Sequence, residues 1–345
     1  MKKQNKNNNI KFYFYFSCIV LLPSIANAQF TLPTNQLPNL NMKPTLSLTI
    51  NTQAPLPSAF VSATANLSGI TNVSNPSFSW FLNGVAQKGA SGVNKNTFAF
   101  QVGNLGAVYK ISLNASTPNG DNFSDSISVT VSDFDLTWDA NSQAPALYKG
   151  KLLPTQKSVL NISALPFVYS PGTKTQLTNS NLIYNWYVDD KFSAGSSGAG
   201  KSNLILTVND YAGASKNIRL EIKTSDGAVS ISKSVEIPIV GPQVFIHLTD
   251  SKTGFPYGVA LKNLTVGPIS LNFTAQNYFF NATPDNLRWQ WLIGDKEVDS
   301  GSEKPWLASL NLANIGPLFT QIQAIVKSST NELETAGATI NLEVK

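Results

Sequence analysis

Hydrophobic and polar residues alternate with a period of two along much of the chain after residue 28, which predicts β-strands. Three of these alternating stretches are centred on a tryptophan, at residues 78–82, 184–188 and 289–293. In each, the residues two before and two after the tryptophan are apolar, so all three side chains lie on one strand face. No segment after residue 28 has sustained helical periodicity. An all-β fold is therefore predicted.

The tryptophan strand belongs to a longer pattern that occurs three times. Trp80, Trp186 and Trp291 lie 106 and 105 residues apart. Each is followed by a two-residue turn signal of a kind that closes hairpins, a second alternating strand and a glycine corner. The corner glycines lie 26, 27 and 25 residues beyond their tryptophans and are Gly106, Gly213 and Gly316. The turn pairs are Asn83-Gly84, Asp189-Asp190 and Gly294-Asp295.

This order of features resembles the immunoglobulin-like superfamily and is most similar to the PKD-type and bacterial immunoglobulin-like modules of surface proteins. The resemblance covers roughly residues 43–345. It implies that the three tryptophans pack between two sheets, at the place where antibody domains carry a disulfide. It also implies that the three glycines form the corner before the sixth strand, with Tyr109 at the usual tyrosine position in the first copy. The resemblance predicts the fold and leaves function open, because this fold supports adhesion, glycan binding and spacing alike.

The predicted organisation is three tandem immunoglobulin-like β-sandwich domains at residues 43–132, 133–240 and 241–345. An extended leader with two prolines, residues 29–42, precedes them. The junctions between the domains are short, so we expect a semi-rigid array.

The first 28 residues have the pattern of an export signal. A lysine- and asparagine-rich start is followed by an apolar stretch at residues 12–22, then by Pro23 and the small-x-small sequence Ala26-Asn27-Ala28. We expect cleavage after Ala28 and a secreted or cell-surface protein. An uncleaved signal that anchors the chain is the alternative, and it is the single route to a membrane that the sequence offers.

Charge and cysteine content exclude several classes of function. Charged residues make up only 13% of the 345 residues, and the net charge of +5 includes four lysines of the export signal. Without them, 21 basic residues balance 20 acidic ones, so the sequence predicts no nucleic-acid partner. Cys18 is the single cysteine and lies in the signal, so the domains have no internal disulfide and depend on packing.

Catalytic chemistry is not expected. The single histidine, His247, lies in an alternating stretch at residues 244–248 and is interpreted as a strand residue facing solvent. One histidine without cysteine partners excludes the usual zinc sites and disfavours a Ser-His-Asp centre, and no cofactor is predicted. A glycoside hydrolase needs only two carboxylates. Asp189 and Asp190 are adjacent, but their place in a hairpin favours a turn role.

Three other features are candidate sites. Asp133 and Asp135 are weak candidates for calcium ligands at the first domain junction, with solvated acids at a strand start as the preferred interpretation. Trp306 is a candidate glycan contact, weighed against a packing role, and residues 278–280 are expected in an exposed aromatic loop. Trp289 is assigned to the core. Residues 194–202, rich in glycine and serine, are expected to form a flexible tip.

The function expected from these observations is an exported, non-catalytic adhesion, interaction or spacer protein. Its partner would be an unknown surface protein or polysaccharide. A carbohydrate-binding accessory protein is the alternative, and a glycoside hydrolase with a carboxylate pair is the remote alternative.

Overall fold

A computed structural model describes residues 44–69, 75–250, 252–253, 255–299 and 303–345. Within those residues the chain forms 25 strands in six sheets, two 3₁₀ turns and no α-helix. The sheets come in three successive pairs, called here the first, middle and last sheet pair. The all-β class predicted from the alternating pattern is confirmed. The expected signal (1–28) and leader (29–42) lie outside the described residues.

The first sheet pair contains the eight strands between Thr45 and Thr130. One sheet has the order β1-β2-β6, and the other has the order β4-β3-β7-β8 with β5 also paired to β3. The strands are β1 Thr45–Ile50, β2 Phe60–Ser68, β3 Ser77–Leu82, β4 Val85–Ala86, β5 Gly92–Val93, β6 Thr97–Gln101, β7 Val108–Ser116 and β8 Asn122–Thr130.

The middle sheet pair repeats this arrangement strand for strand. Its sheets have the orders β14-β10-β9 and β12-β11-β15-β16, with β13 also paired to β11. The strands are β9 Asp133–Ala140, β10 Val159–Phe167, β11 Leu182–Val188, β12 Lys191–Phe192, β13 Gly198–Ala199, β14 Asn203–Thr207, β15 Ser215–Thr224 and β16 Ser230–Pro238. A three-stranded sheet facing a five-stranded one, whose main path has four strands in this order, matches the immunoglobulin-like β-sandwich arrangement.

The last sheet pair has the same general arrangement and adds a parallel strand pairing that the sequence did not predict. Its sheets have the orders β18-β17-β20-β23 and β19-β25-β24-β21-β22, and β19 pairs with β25 in parallel. The strands are β17 Gln243–Thr249, β18 Pro256–Tyr257, β19 Asn263–Val266, β20 Ser270–Tyr278, β21 Leu287–Ile293, β22 Lys296–Val298, β23 Leu307–Asn311, β24 Leu318–Ser328 and β25 Thr335–Val344.

Each sheet pair encloses its own hydrophobic cluster, and each cluster contains one central tryptophan. Trp80, Trp186 and Trp291 lie on β3, β11 and β21 and are almost completely buried. A tryptophan of this kind removes about 150–250 Å² from water, which stabilises a sheet pair by about 4–6 kcal/mol. With a usual stability of about 5–15 kcal/mol for a domain, that is a large part of the total.

The predicted turn pairs adopt the backbone that hairpins require. Asn83 and Gly84 have φ angles of 51° and 80°, and Asp189 and Asp190 have 49° and 61°. Positive φ at both central residues is the geometry of a two-residue hairpin turn, which asparagine, aspartate and glycine tolerate best. In the last sheet pair only the first member, Gly294, is left-handed, with a φ of 61°.

The glycine corners are alike in two copies and differ in the third. Gly106 and Gly213 have φ angles of 75° and 90°, and their N–H groups donate to the carbonyls of Val131 and Ile239 at 2.9 Å. Gly316 is not in the left-handed region, so this corner has no conformational need for glycine. Tyr109 accepts a hydrogen bond of 2.8 Å from the Gly103 N–H, which fixes the loop before the first corner.

Both junctions between sheet pairs are hydrogen-bonded, the first through the segment after β10 and the second through the segment after β20. At the first junction, Tyr169 N–H donates to Ser132 Oγ at 3.1 Å, and Thr130 Oγ1 donates to the Thr173 carbonyl at 2.9 Å. At the second, the backbones of Gln143 and Phe280 form an isolated bridge. Such contacts hold neighbouring sheet pairs in a fixed relation.

Asn281 adds side-chain hydrogen bonds across the second junction. Its side-chain amide donates to the Gln156 carbonyl at 2.9 Å, and its side-chain oxygen accepts from Ser158 Oγ at 2.6 Å. Its own N–H donates to the carboxylate of Glu334, a buried residue of the last sheet pair. Asn281 therefore joins the middle and last sheet pairs through side-chain and backbone contacts.

Candidate binding groove

A hydrogen-bonded arm seals the buried tryptophan in the first two sheet pairs. The arm comprises residues 87–96 in the first pair and 193–202 in the middle pair. Trp80 Nε1 donates to the Lys95 carbonyl and Trp186 Nε1 to the Lys201 carbonyl, both at 2.9 Å. Because a buried indole N–H without a partner is costly, the arm satisfies the polar atom of each core tryptophan.

The arm of the middle sheet pair occupies the segment expected to be a flexible tip, and that expectation is wrong. Ser197 Oγ accepts from Trp186 N–H at 2.9 Å and donates to the Ser193 carbonyl at 2.8 Å. Lys201 Nζ donates to the Gly195 carbonyl at 2.8 Å, and Ser91 and Lys95 make the equivalent bonds in the first pair. The overlooked signal is a set of matching residues at the tryptophan spacing: Gly89/Gly195, Ser91/Ser197, Gly92/Gly198 and Lys95/Lys201.

In the last sheet pair the core tryptophan is also hydrogen-bonded to the arm, but the arm ends in a different residue. Trp291 Nε1 donates to the Pro305 carbonyl at 3.0 Å. The next residue, Trp306, accepts from the Ala275 N–H at 2.9 Å through its carbonyl. In the first two pairs the corresponding bonds run from Ala65 to Asn96 and from Ala164 to Ser202, at 2.8 and 2.9 Å. Trp306 therefore occupies the place that Asn96 and Ser202 hold in the other copies.

Trp306 lines an open groove on the last sheet pair. It is the exposed member of the six tryptophans, all of which are described, with 39% of its surface accessible. The groove has a volume of about 350 Å³ and includes Pro145 of the middle sheet pair. Its other lining residues are Phe255, Pro256, Thr274, Ala275, Gln276, Asn277, Pro284, Leu287, Trp289 and Pro305.

Trp289 has a second role that the sequence did not predict. The equivalent residues two before the core tryptophan, Phe78 and Tyr184, are buried. Trp289 packs against the last hydrophobic cluster but is half-buried, and it forms a wall of the groove. Trp289 therefore contacts both the core, to which it was assigned, and the groove.

The aromatic segment at residues 278–280 lies at the second junction, and its expected exposure is wrong. Phe279 and Phe280 are buried. The Phe279 N–H donates to the Gln143 carbonyl, and the Phe280 carbonyl accepts from the Gln143 N–H, both at 2.6 Å. Tyr148 packs edge-on against Phe279, with ring centres 5.8 Å apart. The partner segment lies far away in the sequence, so no local pattern marks these rings as covered.

His247 lies on β17, half-buried in a second, shallower depression. Burial lowers the pKa of His247, and a hydrogen bond with the Gly258 backbone opposes that effect. Its neighbours in the depression are mostly aromatic and aliphatic: Tyr148, Leu153, Gln243, Phe245, Ala260, Tyr278 and Phe279. Among the described residues that line this depression, none is a carboxylate that could orient the imidazole.

Three of the four acidic candidates lie within ion-pair distance of a lysine or arginine. Asp133 accepts from Lys233 Nζ at 2.5 Å, and Asp135 is exposed further along β9. Asp189 accepts from Lys216 Nζ at 2.6 Å, whereas Asp190 lies 4.0 Å from the Arg219 guanidinium. In the part of the chain that the structure describes, no group of three or more His, Cys, Asp or Glu side chains is placed to hold a metal ion.

The same part of the chain includes no helix with the length and hydropathy needed to cross a membrane.

No family model and no curated protein matches this chain. Solved structures match it at low similarity. The three N-terminal domains of the highly immunogenic outer capsid protein of bacteriophage RB49 are 12% identical, with 88% of this chain and 99% of that chain covered and a TM-score of 0.26. The central fibronectin-III array of RIM-binding protein is 12% identical, with 87% and 96% covered and a TM-score of 0.30.

SGBP-B of the Bacteroides ovatus mixed-linkage glucan utilization locus, in complex with a mixed-linkage heptasaccharide, is also 12% identical. The match covers 86% of this chain and 66% of that chain with a TM-score of 0.21. TM-scores this far below 0.5 carry no argument about what the present chain binds.

Proposed function

We propose that the chain is an exported, non-catalytic interaction protein that contacts its partner through the groove at Trp306. The observation that carries this proposal is the exposed indole at an arm position where the two other copies have Asn96 and Ser202. Exposed tryptophans in concave surfaces are typical of binding sites, because one ring provides a large contact area at a low entropic cost.

The array that displays the groove consists of three tandem domains of PKD type, at residues 43–132, 133–240 and 241–345. The three separate hydrophobic clusters and the strand starts at Asp133 and Gln243 support these bounds. Export is supported by the sequence pattern that ends at Ala28, and the partner is a surface protein or a polysaccharide outside the cell.

A spacer role is the second candidate, and the hydrogen-bonded junctions favour it. A series of sheet pairs with fixed junctions would hold other components apart without binding a ligand of its own. Such a role gives no reason for an exposed tryptophan at the arm end, which is why the interaction role is preferred.

Two measurements test the proposal. Mass spectrometry of the protein recovered from a producing bacterium should give Gln29 as the mature N-terminus, and finding residues 1–28 intact would replace secretion by anchoring. Purified, labelled protein should bind intact producing cells, and Trp306→Ser should weaken that binding. Equal binding by the variant would leave the spacer role in place.

A further inference from the structure

The lining of the Trp306 groove has an unusual chemistry for a protein surface. The lining contains three aromatic rings, four prolines and three neutral polar residues: Thr274, Gln276 and Asn277. The Thr274 hydroxyl is bonded to that of Thr249, and Gln276 Oε1 accepts from the Tyr278 hydroxyl. No Asp, Glu, Lys, Arg or His is among the described residues that line the groove. The charged residues next to lining residues in the sequence, Asp285, Arg288 and Lys304, are exposed and are not part of the lining.

An uncharged lining of this kind selects among ligands. A polyanion such as nucleic acid or an acidic polysaccharide needs cationic side chains, which the groove lacks. A protein partner of ordinary affinity needs about 800 Å² of contact on each side. The groove itself is a concavity of about 350 Å³, which is small beside such an interface. A neutral sugar chain fits both features, because its C–H faces stack on aromatic rings while its hydroxyls bond to amides.

The position of Trp306 shows that its ring is not required by the fold. The arm end is attached to the sheet through backbone atoms in all three sheet pairs, and asparagine or serine is sufficient in two of them. Trp289 departs from its buried counterparts in the same groove. Two independent changes from the repeat pattern thus converge on one surface, which is expected of a site built for a ligand.

We infer that the groove binds an uncharged polysaccharide, with Trp306 as the platform for a sugar ring, Trp289 and Phe255 as its walls, and Gln276 and Asn277 as hydrogen-bonding partners of the hydroxyls. This inference rests on the proposed interaction role and names its ligand class. Pro145 brings the middle sheet pair into the groove, so the site spans the second junction.

The test is isothermal titration of the full-length mature protein with cellohexaose, xylohexaose, maltohexaose and mannohexaose, and with hexagalacturonate as the anionic comparison. We expect at least one neutral oligosaccharide to bind, equally at low and high salt, because no ion pair contributes. Trp306→Ser should weaken that binding about tenfold or more, and Trp306→Tyr should retain most of it. Phe319→Ser removes an exposed aromatic outside the groove and should leave binding unchanged.

Three results would overturn the inference: no binding of any neutral oligosaccharide, tighter and salt-sensitive binding of hexagalacturonate, or wild-type affinity in Trp306→Ser. Circular dichroism of each variant checks the fold. Binding to intact cells separates the two proposals. If cells bind the protein through Trp306 but protease treatment of the cells abolishes binding, the partner is a protein and the glycan inference fails while the interaction role stands. If neither cells nor sugars bind, both fail.

Discussion

The indole nitrogen of Trp186 donates a hydrogen bond of 2.9 Å to the carbonyl oxygen of Lys201, fifteen residues further along the chain. Trp80 makes the same bond to Lys95 over the same separation, and Trp291 makes it to Pro305. Each core tryptophan thus contributes to the fold in two ways. Its rings fill the space between the sheets, and its indole nitrogen donates a hydrogen bond that holds the arm in place.

Removal of the Trp186 side chain should unfold the middle sheet pair or bring it close to unfolding. Trp186→Ala leaves a large cavity and is expected to lower the free energy of unfolding by about 3–5 kcal/mol. Trp186→Phe fills most of the space but leaves the Lys201 carbonyl without its donor, so about 1–2 kcal/mol is expected. Calorimetry of both variants gives these values. An unchanged melting temperature in Trp186→Ala would show that the indole does not support the core.

Gly198 should be sensitive to substitution although its surroundings have room for a methyl group. Its φ is 138°, and an added Cβ would meet the Lys201 side chain only at ordinary contact distance, 3.6 Å. The cost of Gly198→Ala therefore comes from the backbone, about 1–3 kcal/mol. Gly195 lies in the same arm with an ordinary backbone and open space around it, so Gly195→Ala should change stability by less than about 0.5 kcal/mol. Equal effects in urea denaturation would contradict this explanation.

Asn281→Ala should uncouple the middle and last sheet pairs. The substitution removes the bonds to Ser158 and Gln156, and the loss of such contacts is expected to reduce coupling by about 1–3 kcal/mol. Differential scanning calorimetry should then resolve two transitions that are closer together in the unmodified protein. Asn272→Ala is the matched control, because Asn272 bonds only to Ser309 within the last sheet pair among the contacts described for its side chain. A thermogram unchanged by Asn281→Ala would mean that the junction does not couple the pairs.

The stability of the middle sheet pair should depend slightly on pH through Asp189. Burial raises the pKa of Asp189, but hydrogen bonds from Lys216 and the Asn217 N–H, with the charges of Lys216 and Lys191, outweigh it. The pKa is therefore below its usual value in the folded protein. Its contribution is present above the unfolded pKa, near 3.8, and is lost as the pH falls through the lower folded value.

The expected size of this effect is below about 1 kcal/mol, because the carboxylate is partly exposed and solvent screens the pair. Asp189→Asn should remove it and keep the left-handed backbone that asparagine tolerates. Asp190→Asn is the control, since its carboxylate is largely exposed and 4.0 Å from its cation. Stability measured at neutral pH and near pH 3 tests both; identical acid dependence in Asp189→Asn and the unmodified protein would refute the assignment.

Local patterns predicted the sandwich cores well. A period of two around Trp80, Trp186 and Trp291 indicated which faces are buried, because side-chain direction in a strand depends only on sequence parity. The hairpin pairs were also predictable, since few residues tolerate positive φ at both central positions. The corner at Gly316 was the exception. It carries the same residue as the other corners, but the chain there takes a backbone that any residue could adopt.

The sequence marks Trp306 as a candidate contact but does not predict the groove around it. That Trp306 corresponds to Asn96 and Ser202 becomes clear only from the hydrogen bonds to Ala275, Ala65 and Ala164, which join segments more than thirty residues apart. The Phe279 ring contacts Tyr148 of the middle sheet pair, and Phe280 lies in the last hydrophobic cluster, so the burial of both rings also depends on distant segments. Both features depend on contacts between distant segments, and hydrophobic periodicity does not predict such contacts.

The backbone of the arm end is bonded to its sheet in all three sheet pairs, and Asn96 adds a side-chain bond to the Ala65 carbonyl at 3.4 Å. The residue type at this point can therefore differ between copies while the backbone bond is kept. The three copies carry asparagine, serine and tryptophan at this point, so one substitution there is enough to change the surface chemistry of a copy. Residues 96 and 202 are the matching sites for engineering, where an aromatic or charged group could be installed to create additional recognition surfaces on the same scaffold.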